Sequence, residues 1–205
     1  MRAGVLIELS TRARRYLDTL ERRAAVPTAE VETIIREAGF PCFIPWLAFH
    51  DRFAGYVEES ASDWFIWGLA HRDPYWRDAN AVDIDSKSDG QTWSIACADG
   101  HPSHNYRLDH AGVFVSGYSA ESFGIHVERI ALGWDFGGRG KFRSWTTAEL
   151  RDAAFREVFE ERIKPHLVPE ASDRFSRCYR TDTYFVVESS ATGSLQRGFE
   201  RTSSA

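Results

Sequence analysis

The feature that most constrains the fold is a change of hydrophobic period partway along the chain. From Val31 to Phe53, apolar residues recur at helical spacing: Val31, Ile34, Ile35 and Ala38, then Trp46, Phe49 and Phe53 with His50. From Asp63 to Val115 they collect in short runs of strand formers. From Ala120 to Leu132 the helical period returns. A chain that changes period in blocks, with no regular alternation of strand and helix, predicts an α+β fold. The expectation is a single domain with a mixed, mainly antiparallel sheet flanked by helices.

The punctuation fits that order. Thr28 follows Pro27 and is placed to cap a helix that Gly39 stops. Phe40-Pro41-Cys42-Phe43-Ile44-Pro45 holds two prolines that forbid helix, and Pro45 suits the first turn of a new helix closed by Gly55. Strands are predicted at Asp63–Leu69, Thr92–Cys97 and Gly112–Val115, with Ala81–Ile84 pairing back through Asp89-Gly90. Thr146-Thr147-Ala148-Glu149 is a capping box opening a helix to Ile163. Thr183–Val187 reads as a last strand. Four segments follow: a basic amphipathic helix over 1–26, a core over 27–136, a helix-and-strand extension over 137–188, and a mobile polar tail over 189–205.

Charge is distributed unevenly. The total is −5, from 25 basic and 30 acidic residues. Residues 1–25 hold six Arg against three acids, and residues 58–99 hold nine acids against Arg72, Arg77 and Lys87, a local −6. Such a body repels nucleic acid and attracts basic partners. The arginines of the first helix lack interleaved aromatics and read as a solvated face. Three scattered cysteines, Cys42, Cys97 and Cys178, do not form a disulfide framework, which suits a reducing cytoplasm. The run Val5-Leu6-Ile7 is too short for a signal segment, and no stretch reaches the roughly 18 apolar residues that a membrane span needs.

The densest polar cluster runs from Asp99 to His110 and contains His101, His104 and His110. Imidazole and carboxylate suit a transition metal, but His101 and His104 are split by Pro102 and Ser103, with no helical frame to fix their rings. A polar turn between strands is the simpler reading. Cys97 alternates with Trp93 and Ile95, which marks a buried thiol. The segment from Asp85 has Lys87 at the third position and Ala96 at the twelfth, so it fails as a calcium loop. Accordingly, no catalytic set, metal site or cofactor is expected.

Two stretches together resemble the SUKH superfamily. The first is Thr28–Ile35 with Gly39, Ile44-Pro45-Trp46-Leu47-Ala48-Phe49 and Gly55. The second is Ala98–Ser103, then Leu108–Phe114, then Ala120-Glu121-Ser122-Phe123 with Ala131-Leu132. The resemblance spans about residues 28–136 and implies an α+β protein-binding module rather than an enzyme. Many bacterial members are immunity proteins that neutralise a cognate polymorphic toxin, often a nuclease or other nucleic-acid-modifying enzyme. Gly39, Pro45, Gly55, Asp109 and Ser122 then make the fold. The sequence departs from the pattern over Tyr75–Gly90, before residue 27 and after Phe136. On this reading a basic toxin docks on Glu58, Glu59, Asp78, Asp83, Asp85 and Asp89, with Tyr75 and Trp76 as anchors, and its active site is occluded. The alternatives are a small metal-dependent hydrolase using the His101–His110 cluster, and a regulatory scaffold that binds a protein other than a toxin.

Overall fold

In the computed structural model, residues 7–59, 64–71, 82–100, 106–115, 119–138 and 141–202 are described. In chain order the elements are α1 (Thr11–Leu17), α2 (Thr28–Glu37), α3 (Ile44–Phe53), β1 (Val57–Glu59), β2 (Trp64–Trp67), β3 (Ile84–Ser86), β4 (Trp93–Ala96), β5 (Ala98–Gly100), β6 (Arg107–Asp109) and β7 (Phe114–Val115). There follow α4 (Phe123–Gly137), β8 (Phe142–Ser144), α5 (Thr147–Arg151), α6 (Ala153–Val158), β9 (Ser176–Arg180), β10 (Tyr184–Ser189) and β11 (Leu195–Arg201). The fold is α+β, and every described strand pairing is antiparallel. The strands form three sheets, ordered β1-β2-β5, β3-β4-β6-β7 and β8-β11-β10-β9. Contacts divide the chain into two compact units. The first takes the described residues within 17–123 and the second those within 7–16 and 124–202.

The first unit is built around aromatic rings. Pro45 lies in the first turn of α3, and Trp46, Phe49, His50 and Phe53 make its buried face. Phe123 collects this stripe: Phe49, Trp67, Phe53 and Phe114 lie 4.7, 4.9, 5.2 and 5.4 Å from it, centroid to centroid, mostly edge-on or tilted. Edge-to-face pairs of this kind add about 0.5–1.5 kcal/mol each beyond the area they bury. The polar atoms of the core are matched as well. Trp46 Nε1 donates to the Asp109 carbonyl at 2.8 Å. His50 accepts from Leu69 N–H on Nδ1 at 3.0 Å and lies 2.7 Å from the Val26 carbonyl on Nε2. That pairing fixes the neutral tautomer with its proton on Nε2, and burial lowers the imidazole's pKa.

The basic N-terminal segment differs from the expected continuous helix. α1 ends at Leu17, and Arg22 is extended, bridging to Tyr56. Arg22 lies 4.6 Å over the Tyr56 ring and donates from Nε to the Ala54 carbonyl, while Arg23 N–H donates to the Gly55 carbonyl. These contacts outweigh the helical period. They also explain Gly55, where φ is +89° and an added Cβ would stand 2.2 Å from the Arg23 carbonyl oxygen.

The second unit is layered. Alternation along β10 sends Val186 to one face of its sheet, with Leu150, Phe155, Phe159, Ile163, Tyr179 and Leu195. It sends Phe185 and Val187 to the other, with Leu132, Phe136, Ala171 and Cys178. The capping box at Thr146 is present with both hydrogen bonds. The helix it opens is shorter than the sequence predicts, because Asp152 is extended and caps α6 by accepting from Ala154 and Phe155 N–H. The expected tail is also corrected over Leu195–Arg201, which form β11, held between β8 and β10.

Candidate partner-binding surface

Three of the expected docking residues come together on one hairpin of the first unit. Among the described strands β3 stands at the edge of its sheet and pairs with β4, with Ile84 opposite the buried Ile95, Asp85 opposite Ser94 and Ser86 opposite Trp93. Ile84 is thus placed with the core row, and Asp83 and Asp85 share the other face. The side chains of Asp83 and Asp85 are 48% and 69% exposed.

Beneath them lies Arg107 of β6, which the sequence analysis did not single out. Its guanidinium reaches Asp83 Oδ1 at 3.3 Å and Asp85 Oδ2 at 3.1 Å. It also donates to Ser94 Oγ and to the carbonyls of Asp83 and Ser94. One buried cation therefore orders two exposed carboxylates and leaves the pair net negative. The signal was a basic residue next to Leu108 of the core row, and so on the other face of β6, one strand removed from the acid-rich β3.

Asp89 has a local task as well as a charge. Its carboxylate accepts from Gln91 N–H, Thr92 N–H and the Thr92 hydroxyl at 2.7–2.8 Å, closing the turn between β3 and β4. These bonds, the hydroxyl's first, hold its pKa down to about 2.

Glu59 is exposed at the end of β1, in a different sheet. Glu58 corrects the expectation of a surface site. It is 9% exposed and accepts from Trp67 Nε1 at 3.0 Å, and its burial pushes the carboxyl up to about 7. A carboxyl desolvated in this way does not offer a docking charge. Tyr75, Trp76 and Asp78 lie outside the described residues.

The histidine cluster is only partly described, since His101 and His104 lie outside the described residues. His110 is in the turn after β6, with its ring 5.8 Å from Phe43. Asp109 Oδ1 accepts from Ala111 and Val113 N–H, the work of a turn-forming side chain. Cys97 is fully buried. Among the described residues no group of three or more His, Cys, Asp or Glu is arranged to hold a metal ion. No described helix is long and apolar enough to cross a membrane. No family model, curated protein or solved structure matches the chain.

Proposed function

We propose that the protein is a cytoplasmic, immunity-type binding module of the SUKH kind that neutralises a basic toxin domain by covering its active site. The observation that carries this reading is the β3 edge, where Asp83 and Asp85 are held outward by the buried Arg107. Carboxylates already fixed in position lose little side-chain freedom on meeting a basic surface, and their field steers the encounter. Glu59 and Asp89 extend the negative field. Glu58 is left out of the docking set.

The test begins with the product of the neighbouring reading frame. Co-expression with this protein should rescue cells from it, and the purified pair should associate faster at low salt than at high salt. Asp85→Lys should slow association on the order of tenfold at low salt, with dissociation little changed. A neighbouring product that is harmless to cells and does not bind would overturn the reading. Rescue with an association rate indifferent to Asp85→Lys would retain an immunity role and reject this docking surface.

A further inference from the structure

The strand β1 has neighbours on both sides at its start and on one side at its end. Arg22 bridges to Tyr56, Arg23 N–H donates to the Gly55 carbonyl at 2.8 Å, and Val57 N–H donates to the Glu21 carbonyl at 3.0 Å. From the other side Trp67 N–H donates to the Tyr56 carbonyl at 2.9 Å. Hydrogen-bonded rungs alternate along an antiparallel pair, so the next rung toward the strand's end joins Glu58 and Phe65. The chain before Glu21 is in the turn that follows α1, and among the described strands Glu58 and Glu59 pair with β2 alone. Val57 is therefore the last position of β1 with a neighbour on each side.

The one-sided end carries a buried acid. Glu58 shares a face of the sheet with Phe65 and Trp67, and the Trp67 ring packs on Phe53, Tyr56 and Phe123. Its Oε2 accepts from Trp67 Nε1 at 3.0 Å. The charged groups of the surrounding elements are engaged elsewhere. Arg22 stacks on Tyr56 and donates to the Ala54 and Arg52 carbonyls, and Arg23 pairs with Glu21 at 2.9 Å. On α3, His50 is bonded to Val26 and Leu69, Asp51 accepts from the Thr28 hydroxyl, and Arg52 lies over the Phe53 ring. Asp99 of β5 stands opposite Ile66, on the other face of the sheet, and Glu59 is exposed. Burial, offset only in part by the indole bond, raises the Glu58 carboxyl from 4.5 to about 7.

We infer that the end of β1 is a pH-sensitive switch: Glu58 and Glu59 lift off β2 when Glu58 ionises and turns its carboxylate to water, and they return when it takes up a proton, with Val57 as the hinge. The sign follows from linkage. A carboxyl that ionises at about 7 in the closed strand and at 4.5 in water favours opening as pH rises, by about tenfold between pH 6 and pH 8. Glu59, an exposed acid, moves with it. The switch lies within the first unit and does not depend on the immunity reading.

The test uses the intact, isotope-labelled protein. The Trp67 indole N–H resonance should move with a midpoint near pH 7, and in Glu58→Gln, which keeps an acceptor for the indole, it should stay in place. Amide hydrogen exchange, expressed as protection relative to the unfolded chain, reads the opening itself. Protection of the Glu58 and Phe65 amides should fall about tenfold from pH 6 to pH 8 in the parent and stay level in Glu58→Gln. At pH 8 these two amides should also be at least about tenfold less protected than the Trp67 amide, which remains bonded to Tyr56. A titrating indole with level protection at Phe65 shows Glu58 ionising in place and overturns the inference. Equal protection at Phe65 and Trp67 overturns it as well, because the strand end then opens only with the region around it. An indole that does not move between pH 5 and pH 9 removes the switch altogether.

Discussion

Glu58 of the first unit is buried differently from the buried carboxylates of the second. Glu58 accepts from the Trp67 indole N–H, and no ion pair to it is found among the described residues. In the second, each buried carboxylate has a cation near it. Glu128 accepts from Ser10 N–H and Oγ and meets Arg12 at 3.3 Å. Asp173 meets Arg129 at 2.6 Å and accepts from Phe175 and Ser176 N–H. Glu188 accepts from the Tyr179 hydroxyl at 2.7 Å, with Arg177 at 3.8 Å. The first unit is thus held by ring packing, which tolerates a neutral acid. The second is held by charge matching between residues far apart in sequence.

The largest test of that contrast is Asp173→Ala. It leaves Arg129 buried without its anion, and removing one partner of such a pair costs about 3–5 kcal/mol. Urea unfolding should show the loss, and a change below about 1 kcal/mol would break the charge-matching account of the second unit.

Glu58→Gln probes the first unit and has the opposite sign. The Glu58 carboxyl is raised from 4.5 to about 7 by burial, so between those values the folded chain holds a proton that the unfolded chain has released. Stability is therefore greater below pH 4.5 and falls as pH rises through about 7. Glutamine keeps the acceptor for Trp67 and removes the titration. At pH 8 the variant should be more stable by on the order of 2–3 kcal/mol, and at pH 4 it should match the parent. Parallel stability curves would show that Glu58 is ionised at no cost.

The smallest effect is expected at the capping box. Thr146→Ala removes the side-chain half of the reciprocal cap on α5 and should lower stability by about 1 kcal/mol in thermal melts.

Much of the first unit is legible in the sequence because its signals are local. Pro45 with the Trp46, Phe49, Phe53 stripe specifies α3, and Asp89-Gly90 specifies the hairpin that brings Asp83, Asp85 and Asp89 together. The second unit is less legible because its strands are stabilised by neighbours. β11 reads Leu-Gln-Arg-Gly-Phe-Glu-Arg and is paired on both sides, yet it alternates too weakly to stand out in a polar stretch. Its Glu200 is explained by Arg143 of β8. Glu58 was misplaced because acids on short strands usually face water, and only the approach of Trp67 turns this one inward.

The boundaries between the units, after Tyr16 and after Phe123, make the second unit discontinuous in sequence. Residues Ile7–Tyr16 are synthesised before Leu17–Phe123, yet their companions emerge from the ribosome after that stretch. Leu9, Ala13 and Tyr16, each nearly inaccessible in the folded chain, have nothing of their own unit to cover them until Gly124 and later residues appear. For the whole interval in which the first unit is made and collapses, the chain carries an uncovered apolar leader.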